Sequence, residues 1–175
     1  NHRENNYLMS LSFDSKRIGI AVADISTGEF KSSEIEYKDF DKTLEDLITI
    51  VHPTECILSE KDYNNPNILN FLKSHSVQNI YCFVPWETDI KVVSYIIKNQ
   101  FKIFSLEIFN IDKDIHSQIA TAALINYLKS TQMDRLGHIT KISQLIQSDN
   151  MHLDRSTIYN LELLHSIRFQ ESQGT

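Results

Sequence analysis

The sequence predicts an α/β protein in which a mixed sheet with flanking helices is followed by an α-helical segment. Two observations support this: three short apolar runs open the chain, and helical and strand patterns alternate after them. The length of 175 residues indicates one domain, or one domain with a piece of another. A hydrophobic content of 41% is enough to form a core.

The opening segment, residues 7–37, predicts an antiparallel three-stranded meander. Its apolar runs lie at 7–13, 18–23 and 30–37, and the segments 14–17 and 24–28 between them carry Asp, Ser and Gly. Short runs rich in β-branched and aromatic residues, bounded by such turn residues, are typical of hairpin strands. The second run is apolar at almost every position, so we expect it to be buried on both faces.

The middle of the chain alternates between the two periodicities. Apolar residues at helical spacing predict helices over 39–52, 67–74 and 87–99, and short apolar runs predict strands over 55–59 and 79–84. A meander followed by this alternation indicates a mixed sheet with helices against its faces. The ribonuclease H-like arrangement is the commonest small fold with that order of elements.

From about residue 111 the pattern becomes helical. A helix is predicted over 114–130, and its apolar arc is wide enough to be packed from several directions. Residues 136–151 have mixed periodicity and are interpreted as extended or irregular. Asp154 is a plausible N-cap for a further amphipathic helix. We therefore predict one domain over residues 1–110 and the start of an incomplete helical domain over 111–175, in a chain that looks like a piece of a longer protein.

Composition narrows the function. A net charge of −6 argues against a nucleic-acid-binding surface in this segment, because phosphate binding needs concentrated Lys and Arg. No apolar run approaches the length of a membrane span, and no signal peptide opens the chain. Cys56 and Cys82 lie in apolar runs, which favours buried, reduced core thiols in a cytosolic protein over a disulfide or a metal pair.

The search for catalytic motifs is mostly negative. Only four glycines occur, so no phosphate-binding glycine-rich loop is present, and the seven histidines are scattered without ligand spacing. We therefore predict no catalytic, cofactor-binding or metal-binding residues in this segment.

Three carboxylates nevertheless follow predicted strands: Asp14, Asp24 and Glu60. Carboxylates at such strand ends hold Mg²⁺ in ribonuclease H-type nucleases. Residues 14–24 (DSKRIGIAVAD) also resemble the opening of Holliday-junction-resolvase-like proteins, although the Gly and Thr of that family are absent between Asp14 and the Lys-Arg pair. A Mg²⁺-dependent nuclease that uses Asp14 and Glu60 is therefore the alternative function. The competing interpretation is that Asp14 and Asp24 only form turns.

A second resemblance covers nearly the whole chain. Six blocks, in order, resemble the connector domain and the start of the core, or lever, domain of the MutS family of DNA mismatch repair proteins: NNYL (5–8), DISTGEF (24–30), HPTE (52–55), YLKSTQ (127–132), LGHI (136–139) and MHLDRSTIYNLEL (151–163). The family's connector is ribonuclease H-like. One departure is at residues 105–110, where the family usually has a Gly-Phe-Gly link, so a stiffer junction is expected.

The resemblance implies a non-catalytic segment that couples mismatch recognition to an ATPase and docks a MutL-type partner. The mismatch reader and the ATPase of this family lie outside the segment. ATP and Mg²⁺, binding of mismatched DNA, a homodimer and a cytoplasmic location are accordingly expected of the parent protein, and no cofactor is expected here.

The resemblance also suggests where the partner docks. Glu87, Asp89 and Lys91 fall where the family's connector presents residues to its partner, and they lie off the predicted apolar stripe of the 87–99 helix. The competing interpretation is an ordinary solvated helix face.

Overall fold

The first three strands form the predicted meander in the computed structural model of the protein, which describes residues 6–36, 40–147 and 152–153. Strand β1 spans Tyr7–Phe13, β2 spans Arg17–Asp24 and β3 spans Glu29–Glu36. Both neighbouring pairs are antiparallel. The turn between β2 and β3 contains Gly28 at a φ of 79°, which glycine adopts without steric cost.

The remaining strands extend the meander on both sides. They are β4 (Glu55–Leu58), β5 (Asn79–Cys82) and β6 (Ser143–Gln144). β4 runs parallel to β1, β5 parallel to β4, and β6 parallel to β3, so the order is β5-β4-β1-β2-β3-β6. This arrangement confirms the predicted ribonuclease H-like mixed sheet. A small antiparallel pair follows, made of β7 (Ile146–Gln147) and β8 (His152–Leu153).

Helices cover both faces of the sheet. They are α1 (Phe40–Val51), α2 (Glu60–Tyr63), α3 (Pro66–Ser74), α4 (Ile90–Phe101) and α5 (Ile115–Gln132), with 3-10 helices at Leu106–Phe109 and Met133–Leu136. The four helices predicted within the described residues are confirmed, with ends that differ by up to three residues. None of the described helices combines the length and the apolar character that a bilayer crossing requires.

Strand β2 lies between two hydrophobic cores, as its apolar sequence predicts. Ile18, Ile20 and Val22 join the core beneath α1 and α3. Ala21 and Ala23 point the other way, into the core that contains α4 and α5. Every β2 residue after Arg17 is buried. The small side chains on the α5 side allow that helix to approach the sheet closely.

Helix α5 is the most deeply buried of the described helices, which confirms that it is packed from several directions. Residues 117–125 and Leu128 are buried, and the helix packs across β1 and β2 as well as against α4. The sequence placed this helix in the segment after residue 110. The predicted domain limit between residues 110 and 111 stays a prediction. Because α5 packs on the sheet, the structure favours a domain limit later in the chain.

The prediction for Cys82 was wrong. Cys56 is buried in β4, and burial raises the pKa of its thiol, but Cys82 is exposed on β5. β5 is an outermost strand of the described sheet, and most of its side chains are left open. Both thiols are free.

The segment interpreted as extended or irregular, residues 136–151, does contain the short strands β6 and β7 in its described part. The helix predicted after Asp154 lies outside the described residues. At the departure from the family's Gly-Phe-Gly link, the 3-10 helix Leu106–Phe109 ends at Asn110, whose φ of 57° is left-handed. Asn tolerates this conformation better than most residues, so it can stand where glycine is usual.

Candidate functional site

The start of α4 is held by two of the residues predicted to bind a partner. Asp89 is the N-cap, and its Oδ1 accepts the backbone N–H of Lys91 at 2.9 Å. Glu87 Oε1 accepts the N–H groups of Thr88 and Asp89 at 3.2 and 3.1 Å. The Asp89 cap satisfies one of the backbone donors that a helix leaves open at its first turn, and Glu87 holds the two residues that precede the helix. Both acidic side chains therefore help to fix the position at which the helix begins.

The outward side of α4 is an exposed mixed stripe. Val92 and Tyr95 are 40% and 68% exposed, and Lys91, Asn99 and Lys102 are exposed beside them. We call these five residues the α4 outer face. The opposite side of the helix buries Val93, Ile97 and Phe101 in the core shared with α5. The helix is thus held by its buried side, and its other side exposes an aromatic ring and two cations to solvent.

The predicted docking residues are brought together, but not in one environment. Asp89 and Lys91 are exposed, whereas Glu87 is half-buried. Ile90, which was expected in the packed stripe, is 38% exposed because it begins the helix at the margin of the core. The sequence reasoning missed Tyr95. The signal was its spacing from Val92 and Lys91, because residues three and four apart share one side of a helix.

Asp14, a candidate of the alternative nuclease, is occupied by its own turn. Its Oδ1 accepts the N–H groups of Lys16 and Arg17 at 2.6 Å each, and its Oδ2 lies 2.7 Å from His116 Nε2. Burial acts to raise the pKa of Asp14, but these N–H groups and His116 outweigh it, and the net pKa is lowered. The turn-forming interpretation is therefore supported for Asp14.

His116 belongs to a network that joins the start of α5 to the meander. Its backbone N–H donates to Glu34 Oε1 at 2.7 Å, and Glu34 Oε2 pairs with Arg17 at 2.9 Å. The Asp14–His116 contact spans 102 positions along the chain, so no local pattern could have predicted it. The network fixes the start of α5, which is a structural role.

Asp24 lies at the opposite end of the strands from Asp14. It pairs with Tyr7 at the start of β1, whereas Asp14 follows the end of that strand, so the strand separates them by about 20 Å. Its Oδ1 accepts the N–H and the hydroxyl of Ser26 at 2.9 and 2.7 Å, which is a turn interaction. Asp24 therefore cannot share a metal ion with Asp14.

Glu60 does lie at the same end of the strands as Asp14, because β4 runs parallel to β1. A cavity of about 520 Å³ lies there, with Glu60, Asp62, Trp86 and His116 among its lining residues. Asp62 is buried, and its Oδ2 accepts the N–H of Phe13 at 3.4 Å. Within the described ranges, no three His, Cys, Asp or Glu side chains converge as a metal site would require. The geometry therefore gives the two-metal nuclease alternative no support.

Comparison with known proteins agrees with the fold. The family model described as MutS domain II matches residues 6–140, which include β1 to β5 of the sheet together with α4 and α5. That match covers most of the chain and begins at the residue before β1.

Curated relatives carry the same family name. The DNA mismatch repair protein MutS of Alkaliphilus oremlandii is 37% identical over 175 residues, which is 99% of this chain and 20% of the relative. The MutS proteins of Flavobacterium psychrophilum and Halothermothrix orenii are each 32% identical, over 95% and 99% of this chain and 18% and 19% of their own lengths. The chain thus spans about a fifth of the relatives it matches. On this evidence the chain belongs to the MutS domain II family.

Proposed function

We propose that the chain is a non-catalytic connector segment of a MutS-type mismatch repair protein, coupling mismatch recognition to the ATPase. In this proposal the whole protein acts in the cytoplasm as a homodimer on mismatched DNA, and its ATP and Mg²⁺ are bound outside this segment. The family match supports the proposal, as does a sheet packed by helices on both faces, because such a compact block can transmit a rigid-body shift between sites.

The segment, in the same proposal, docks a MutL-type partner through Glu87, Asp89, Lys91 and the α4 outer face. The observation that carries this is the exposed stripe centred on Tyr95, 68% exposed on a helix whose other side is buried. Tyr is enriched among the residues that dominate binding energy at interfaces, because it buries a large rigid area and keeps a polar end. Surrounding charges affect the association rate more than the affinity.

The test separates the contribution of the Tyr95 ring to partner binding from that of the charged residues. Tyr95→Ala should weaken binding of the MutL-type protein from the same genome by tenfold or more, mainly through faster dissociation, because an aromatic contact is lost. Lys91→Glu should slow association and change its salt dependence. Asp89 should be changed to Asn, which retains an N-cap acceptor, whereas a Lys at this position would also remove the cap at a cost of about 1 kcal/mol.

The matched control is Lys42→Glu. Lys42 is exposed on α1, which packs on the opposite face of the sheet, and the substitution makes the same charge change as Lys91→Glu. It should leave partner binding at the wild-type level. Equal binding by wild type and Tyr95→Ala, with both proteins folded by circular dichroism, would exclude the α4 outer face as the docking surface.

A further inference from the structure

A second cavity, of about 400 Å³, lies at the other end of the sheet from His116. It is formed where β1 begins, β2 ends and α5 ends, and Leu8, Asp24, Ile25, Glu55 and Tyr127 are among its lining residues. Its wall therefore combines apolar side chains, an aromatic ring and two carboxylates.

Asp24 is the unusual member of this wall. The residue is fully buried, and Oδ1 is satisfied by Ser26, but Oδ2 has no hydrogen-bond donor among the described residues. A buried carboxylate oxygen without a donor is costly, since it has lost its water and gained nothing in return. A donor supplied from outside would remove that cost.

Glu55 adds a second carboxylate to the same cavity. Its Oε2 accepts the Tyr127 hydroxyl at 2.9 Å. Burial, together with the hydrogen bond to Glu55, raises the pKa of Tyr127 to about 12, so the hydroxyl stays a donor at neutral pH. In the part of the chain that the structure describes, no Lys, Arg or His nitrogen lies within 4.0 Å of Asp24 or Glu55. The negative charge of the cavity is thus not paired by these residues.

We propose that this cavity binds an organic cation, namely a guanidinium or primary ammonium group on a short apolar stem. The donors of the cationic group would satisfy Asp24 Oδ2 and Glu55, and the stem would lie against Leu8, Ile25 and Tyr127. A bare metal ion fits less well, because the volume is large and part of the wall is apolar.

Arg135 also lines the cavity and is exposed. Its positive charge opposes a second cation near the opening but favours an anionic group there. A ligand that carries a carboxylate beside its stem, as a free basic amino acid does, would therefore satisfy both ends of the cavity. A side chain of another protein would present the cation alone.

The test uses the chain labelled with ¹⁵N and follows the amide of Ser26, whose N–H donates to Asp24. L-Arginine should shift this amide in a saturable way, and L-citrulline, which has nearly the same shape but no side-chain charge, should not. A capped Gly-Arg-Gly peptide tests the protein-borne source. Tighter binding of free arginine indicates a small-molecule ligand, and tighter binding of the peptide indicates a side chain. Because no MutL-type protein is present, the outcome is independent of the proposed function.

Asp24→Asn keeps the acceptor for Ser26 and removes the charge, so it should weaken arginine binding at least tenfold. Asp112→Asn, at an exposed position outside the cavity lining, makes the same charge change and should have no effect. If Asp24→Asn does not fold, Glu55→Gln should show the weakening instead. The proposal is overturned if neither arginine nor the peptide shifts Ser26, or if citrulline binds equally.

Discussion

Asp14 and Asp62 lie at the same end of the strands, but their pKa values are shifted in opposite directions from the usual value of an Asp. Burial acts to raise both. At Asp14 two short N–H contacts and His116 outweigh burial, whereas at Asp62 burial prevails over the contacts from Phe13 and Ser59. The difference lies in the number and quality of the donors, since the Phe13 contact is 3.4 Å long. Asp62 is therefore a buried carboxylate whose charge is poorly compensated.

Asp62→Asn should consequently stabilise the protein at neutral pH, by about 1 kcal/mol, the usual scale of a single substitution. Because the folded-state pKa is raised above the unfolded value, the stability that depends on protonated Asp62 is present below the unfolded pKa. That stability is lost as pH rises through the folded pKa. The gain from Asn should thus be largest near pH 7 and fade as pH falls below about 3.9, the usual pKa of an unfolded Asp, because Asp62 then becomes protonated in both states. Thermal unfolding of both proteins between pH 3 and 8 measures it.

Asp112→Asn serves as the control, because Asp112 is exposed and loses the same charge. A gain from Asp62→Asn that persists at pH 3, or a loss of stability at pH 7, would show that the carboxylate is better compensated than its contacts indicate.

Among the secondary-structure elements, the contact of α5 with β2 sets the geometry of the molecule. A methyl group added at Gly19 would meet the backbone oxygen of His116 at 1.9 Å and the nitrogen of Ser117 at 2.6 Å. The Ser117 hydroxyl donates to that of Ser32 at 3.0 Å, so the polar side chains in this seam are also within direct contact distance. The obstacle at Gly19 is backbone, which cannot rotate away.

Gly19→Ala should therefore destabilise the protein by about 3 kcal/mol, at the upper end of the cost of overpacking a core, because α5 must shift as a whole. Urea unfolding followed by circular dichroism measures the loss. Gly137→Ala is the control, since no atom of the described residues lies within 4 Å of its added methyl group and the residue is in the right-handed helical region. It should be neutral or slightly stabilising. Equal stability of the two variants would mean that α5 does not approach β2 so closely.

The elements that the sequence predicted are those with a local signal. The meander, the buried strand β2 and the four longer helices each follow from periodicity within one segment. β6 could not be predicted this way, because its two residues gain their partner only when residue 143 meets Lys31. Cys82 was misplaced for a related reason: an apolar run predicts a strand but not whether that strand lies at an edge.

In the candidate site, too, the features with a local sequence signal were predicted, and those that depend on long-range contacts were not. Glu87, Asp89 and Lys91 were all predicted to face solvent. Asp89 and Lys91 do, whereas Glu87 is half-buried. Helical spacing determines the side of α4 on which Lys91 lies. The use of Asp89 as a cap and the occupation of Asp14 by His116 depend on contacts that only the folded chain supplies. The docking role itself stays a prediction.

The molecule as a whole presents two dissimilar faces, with α4 and α5 covering one side of the sheet and α1 and α3 the other. Of the three carboxylates that follow strands, Asp24 lies at the other end of the strands from Asp14 and Glu60, and Asp14 is bound within its own turn. Incubation with Mg²⁺ or Mn²⁺ and branched or nicked DNA should therefore leave the DNA intact. Cleavage that disappears in Asp14→Asn and persists in Lys42→Glu would revive the nuclease alternative.

The most direct measurement of the proposed connector role is the footprint of the partner on this chain. Amide signals of the ¹⁵N-labelled protein should be followed as the unlabelled MutL-type protein is added. The predicted result is broadening concentrated at Lys91, Val92 and Tyr95, with the α1 and α3 positions Lys42 and Asn70 unaffected. Broadening confined to α1 and α3, or none at any partner concentration, would contradict docking through the α4 outer face.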